Sequence, residues 1–299
     1  MWLALAFISA LLLGFYEVFK KVSLFQNAVI PVIFVSILFS CVTLLPLLIT
    51  SELFPQVLRN SVFFVPSANF HAHFLFVLKA IIVLTSWLFA YFALKHLPLS
   101  LASPIKATQP VWTVIGAMLM FGERLNGYQA AGVGITLLSF YLFSVAGKKE
   151  GISFKTNKWF WYIILATLSG AMSGLYDKYL LKQYDAMSVQ VYYTFYQAII
   201  MGIITITLWA PSRHKTTPFK FKWSILFISV FLVSADFIYF YALTLPDSMI
   251  SVISTIRRSG VIVPFLYGAI ILKDKNIKLK IIDLVGVLIG MFLLYLGSK

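Results

Sequence analysis

A chain of 299 residues that is 61% hydrophobic and only 11% charged, with a mean hydropathy of +0.92, has too little polar material to coat a soluble core. Its net charge of +14 is spread over short breaks between apolar runs, which fits lipid headgroups and the positive-inside rule and not a basic nucleic-acid face. Cys41 is the single cysteine, so intramolecular disulfides and cysteine-based metal frameworks are excluded.

Runs long enough to cross a bilayer lie at 2–19, 28–50, 74–94, 99–121, 127–146, 159–181, 187–210, 222–244, 248–272 and 281–297. The first lacks a basic leader and a small-residue cleavage site, so it reads as a span and not a signal peptide. Between the second and third, Phe63, Phe64, Val65 and Phe70 are interrupted by Pro55, Asn60, Pro66 and Asn69, which predicts an interfacial loop. The polar, basic stretch 147–158 reads as a linker.

That linker separates two similar halves, 1–146 and 159–299. Gly14-Phe15-Tyr16-Glu17 answers Gly174-Leu175-Tyr176-Asp177, and Tyr91-Phe92-Ala93-Leu94 before Leu97-Pro98 answers Phe240-Tyr241-Ala242-Leu243 before Leu245-Pro246. Ser100 and Ser103 answer Ser248 and Ser251, Gly122-Glu123-Arg124 is echoed by Lys273-Asp274-Lys275, and Gly132 and Tyr141 correspond to Gly286 and Tyr295. Five spans per half is an odd number, so the copies must insert in opposite senses. The predicted fold is an all-α integral membrane protein of ten transmembrane helices in two inverted five-helix repeats.

The five-plus-five plan, the Leu-Pro before spans four and nine, and Phe121-Gly122-Glu123-Arg124-Leu125 followed by Gln129 and Gly132 resemble the drug/metabolite transporter superfamily in its EamA-like branch. The resemblance covers the whole chain. It implies transport without naming a substrate, because that superfamily moves amino acids, drugs, nucleotide sugars and sugar phosphates.

Most charges sit at span ends, but Lys106, Arg257, Arg258 and Asp236 lie well inside spans. A basic side chain near the bilayer centre costs about 2.5–3.5 kcal/mol on the gentler insertion scales, so it persists beside water, a partner or a ligand. Guanidinium forks with an ammonium suit a carboxylate or phosphate. The alternative is that Arg257 and Arg258 pair with Asp236, Glu17 or Asp177 and lock the bundle. Asp236 reads as the only deep acid, while Glu17 and Asp177 read as nearer span ends, beside Lys20, Lys21 and Lys178. Gln109 would add a neutral hydrogen bond, and Asp236 would take an amine or a coupling proton. Trp87 and Tyr239 are candidate stacking residues. The recurring Tyr16-Glu17 and Tyr176-Asp177 pairs are candidate gates or helix locks.

A second resemblance bears on the same residues. Ile105-Lys106-Ala107-Thr108-Gln109-Pro110 is similar to the Ile-Lys-Ala-x-Glu-Pro segment of plastid triose-phosphate translocators, and Ile256-Arg257-Arg258-Ser259-Gly260-Val261-Ile262 to their Leu-Lys-Arg-x-x-Val-Ile segment. The resemblance implies an anion held by Lys106, Arg257 and Arg258. It departs from that pattern at Trp87, where the translocators have a phosphate-contacting His, and at Arg257, where they have Lys.

Gly170-x-x-x-Gly174 and Gly286-x-x-x-Gly290 allow close helix packing, which is preferred over a dimer face, so a monomer is expected over a homodimer. His71 and His73 lack a carboxylate or cysteine at ligand spacing, so no metal is expected. No nucleotide-binding or hydrolase signature appears, so no enzyme activity or cofactor is expected and an ion or substrate gradient must drive transport. Breaks after odd-numbered spans carry 15 Lys/Arg against six on the other side, which puts both termini outside; the family resemblance implies both inside. The reading is a secondary active transporter or antiporter for a small anionic or zwitterionic metabolite, phosphorylated solutes included, in a bacterial inner membrane. Its alternatives are an exporter of amphipathic drugs or amino acids and, from another class, a lipid-headgroup flippase or lipid-modifying subunit.

Overall fold

The computed structural model describes residues 2–121, 126–149, 156–245, 253 and 256–297, and every regular element among them is helical. Gly122 to Leu125, half of the linker (150–155), and Pro246, Ser248, Ser251 and Ser254 lie outside the described residues. The long helices are α1 (Trp2–Leu24), α2 (Val29–Leu53), α3 (Phe70–His96), α4 (Leu99–Ala107), α5 (Gln109–Phe121), α6 (Gly127–Lys149), α7 (Lys158–Leu180), α8 (Ala186–Ile204), α9 (Ser224–Thr244), α10 (Ile262–Ile270) and α11 (Ile277–Gly297). A π turn, Thr205–Trp209, extends α8 to Ser212. Of the ten spans read from the sequence, six are described helices long and apolar enough to cross a membrane: α1, α2, α3, α8 with its extension, α9 and α11.

The span read at 99–121 is broken. Pro110 has no N–H to bond the carbonyl of Lys106, and Thr108 ends α4 before α5 begins. The described part of the span read at 248–272 is likewise uneven, with a 3₁₀ turn at Ser259–Val261 ahead of α10. Between α2 and α3 the chain makes only a four-residue helix, Pro55–Leu58, and an irregular stretch, as its prolines predict. The start of α3 differs from expectation. Asn69 Oδ1 accepts from Ala72 N at 2.8 Å, and this cap starts the helix at Phe70, so His71 and His73 sit in its first turn and not in a loop.

Helices from the first 149 residues pack on helices from beyond residue 156. Along α1 and α9, Ser9 Oγ donates to Ala235 O at 2.7 Å, Phe15 stacks on Phe231, Phe19 on Phe227, and Ser23 meets Ser224 at 2.7 Å. The register descends as it rises, so the two helices are antiparallel. The same holds for α3 and α7, where Lys79 meets Ser173, Ser86 donates to Ala166 O, and His96 stacks on Trp159. In α2 and α8, Phe34 packs at Gly202 and Cys41 at Thr194. In α6 and α11, Asn126 reaches Gly297 O at 2.6 Å, while the Gly132 and Gly290 backbones touch so closely that a Cβ on either would strike the other helix. Gly14 and Gly260 likewise let α1 press against the 3₁₀ turn.

Candidate functional site

Among the described residues, three ion-pair groups occupy the interior, each held by helices distant in sequence. In the first, Glu17 and Lys20 lie one turn apart on α1, with Lys20 Nζ 3.0 Å from Glu17 Oε1. Lys106, in the last turn of α4, reaches the same oxygen at 2.5 Å. Lys20 is 1% exposed, and its ammonium lies 4.5 Å from the Tyr16 ring and 4.7 Å from the Tyr91 ring. One carboxylate shared by two ammoniums, with two aromatic faces, is how this group offsets its desolvation.

The second group is Asp236 of α9 with Arg257. The guanidinium pairs with Asp236 Oδ1, donates from Nε to Ser9 Oγ at 3.2 Å, and stacks 4.2 Å above the Tyr239 ring. Tyr193 of α8 donates its hydroxyl to Asp236 Oδ2 at 3.3 Å. The third group is Asp177 of α7 with Lys79 of α3 at 2.5 Å, where Lys79 also donates to Ser173 Oγ at 2.7 Å. Lys79 lies 5.7 Å from the Tyr193 ring, so Tyr193 joins the second and third groups.

These contacts correct the sequence reading in three places. Glu17 and Asp177 are interior acids like Asp236: α1 runs to Leu24, past the apolar run read to 19, and Asp177 is held by Lys79 of α3. Lys21 does not serve Glu17; it donates to the carbonyls of Leu94 and Leu97 at the end of α3. Lys20, read as lying at a span end, is buried inside the bundle, as is Lys79. Lys178 has no described side chain.

The candidate residues make different contacts. Lys106 and Arg257 are bound to different carboxylates. Arg258 is half-buried, within electrostatic reach of Glu17 and Asp236, and makes no hydrogen bond or ion pair among the described residues. The Gln109 amide is wedged against Gly170 of α7, where a Cβ would come within 2.7 Å of it. Tyr176 does not mirror Tyr16: its hydroxyl donates to Leu75 O at 3.2 Å and its ring stacks on Tyr179.

A cavity of about 10 Å³ opens among α2, α3, α8 and α9, lined in part by Ser40, Trp87, Gln190, Tyr193, Gln197 and Asp236. Trp87 and Asp236 were candidates from the sequence; the α8 residues were not. Their signal was available, since Gln190, Tyr193, Thr194 and Gln197 recur at helical spacing in an apolar segment.

Comparison with known proteins agrees with this architecture. Residues 1–145 match the EamA-like transporter family, in keeping with the resemblance to the drug/metabolite transporter superfamily. Together with the six apolar helices, the match supports an integral, multi-pass membrane protein. A crystal structure described only as that of a protein shares the fold at a TM-score of 0.64 and 15% identity, covering 98% of this chain and 96% of its own. No curated protein matches the chain.

Proposed function

We propose that this chain, whose first 145 residues match EamA-like transporters, is a secondary transporter of a small anionic or zwitterionic metabolite. It works by alternating access between two inverted five-helix halves that together cross the membrane ten times. The antiparallel pairing of α1 with α9, α2 with α8, α3 with α7 and α6 with α11 supports this reading, as does the break at Thr108, since broken helices mark solute sites in such transporters. It is not an enzyme; a gradient drives it, and Asp236 carries the coupling proton or meets a substrate amine. The membrane is a bacterial inner membrane, and the working unit is a monomer.

The observation that carries the reading is Arg258. Among the described residues Lys20, Lys79, Lys106 and Arg257 are paired with carboxylates, whereas Arg258 is not. A deep guanidinium without a carboxylate is a site for an anion that comes and goes. Arg258→Gln should abolish uptake into proteoliposomes while leaving the melting temperature of the purified protein unchanged. Full uptake by that variant would sink the anion site.

The pairing of Lys106 and Arg257 favours a second reading, an exporter of amphipathic drugs or amino acids in which the basic cluster is structural. Retained drug efflux in Arg258→Gln would decide for it.

A further inference from the structure

The cavity beside Asp236 has an unusual balance of unmet hydrogen bonds. Gln190 is 2% exposed and Gln197 is 1% exposed, and both line it. Gln190 Nε2 donates to Val233 O at 3.2 Å, which orients the amide and leaves Oε1 as an acceptor without a donor. Gln197 Nε2 is a donor without an acceptor. The neighbouring hydroxyls are already used: Ser40 with Ser36 O and Ser229 Oγ, Thr194 with Gln190 O, and Tyr193 with Asp236.

We propose that this cavity is a specificity pocket for a hydroxyl group of the transported solute, which makes the substrate a hydroxylated small metabolite. The proposal rests on the transport reading and narrows it. An ammonium would satisfy Gln190 Oε1 but face the Gln197 N–H with more positive charge. A carboxylate would do the reverse at Gln190. A group that both donates and accepts matches the pair, and two kinds are common in metabolites, the hydroxyl and the carboxamide. Size separates them: about 10 Å³ holds one oxygen, as it would one water, and not a planar amide. Trp87 supplies an apolar wall for the carbon that carries the hydroxyl. Asp236 lies on the same wall, so filling the pocket is felt at the Asp236–Arg257 pair.

Glycerol 3-phosphate and propyl phosphate share a phosphate and differ in their hydroxyls, and titration calorimetry of the full chain in nanodiscs compares them. Glycerol 3-phosphate should bind about three- to tenfold more tightly, the worth of a well-made neutral hydrogen bond. Gln190→Leu and Gln197→Leu should each erase most of that preference without changing propyl phosphate affinity; Gln190→Met, closer in volume, replaces a leucine variant that fails to fold. Equal affinity of the wild type for the two solutes overturns the pocket and leaves the transport reading standing. A hydroxyl preference that survives Arg258→Gln with undiminished affinity upholds the pocket and removes the anion site. Binding of neither solute overturns the pocket together with the anion site.

Discussion

Asp236 and Arg257 meet inside the bundle through a guanidinium that also lies on the Tyr239 ring and donates to Ser9, so a single ion pair ties α1, α9 and the helical turn before Ser259. Both side chains are mostly buried, and removing either carboxylate or guanidinium strands its partner. Asp236→Asn and Arg257→Gln should each destabilise by about 3–5 kcal/mol, and the double variant should recover much of the loss. Thermal unfolding of the four proteins in detergent measures this; strictly additive losses would mean that the pair is not coupled.

A different test concerns the two acids that correspond between the halves. Glu17 is tied to Lys106 near the end of α1 that meets the C-terminal end of α3, whereas Asp177 is tied to Lys79 near the N-terminal end of α3. Opening one pair should therefore expose one side of the bundle. In a Cys41→Ser background, Asp177→Asn should speed thiol labelling of Ser173→Cys from one face of the membrane. Glu17→Gln should speed labelling of Tyr16→Cys from the other. Acceleration of both cysteines from the same face would contradict a gate at each end.

The α6–α11 contact yields a packing prediction. Gly290 carries no Cβ because Thr136 Oγ1 and Gly132 O occupy its place. Gly290→Leu should push the helices apart at a cost of about 1–3 kcal/mol, while Ile289→Leu, on an exposed position of the same helix, should be neutral. A melting temperature for Gly290→Leu equal to the parent would remove Gly290 from the contact.

Proton coupling gives a fourth. If Asp236 carries the proton, Asp236→Asn abolishes gradient-driven accumulation in proteoliposomes but preserves solute exchange at equal pH on both sides. Accumulation at the parent level in that variant would eliminate Asp236 from coupling.

Much of the helical layout was legible in the sequence because apolar length is a direct demand of the bilayer. The ends were less so: polar caps such as Asn69 and lysines that bond carbonyls, such as Lys21, carry helices past the apolar run. Arg257 and Lys106 stood out because no apolar reading explains them. Lys79 is hard to place from the sequence although Val77, Leu78, Ala80 and Ile81 surround it, since its partner Asp177 lies 98 positions away and pairing across the chain leaves no local trace. Gln190 and Gln197 were missed for a related reason. A neutral amide in an apolar helix draws attention only when its neighbours are seen to be satisfied and it is not.

The pairing of early helices with late ones also sets a schedule for biosynthesis. Ser9 and the Phe15 and Phe19 rings dock on α9, which begins 200 residues after α1 ends. At cellular rates of translation α1 waits roughly 10–40 s for that partner. During the wait Ser9 lies in a nascent segment whose partners, Ala235 O and Arg257, do not yet exist. The face of α1 that carries Ser9 thus meets lipid or water in the ribosome-bound intermediate and protein only once α9 is made.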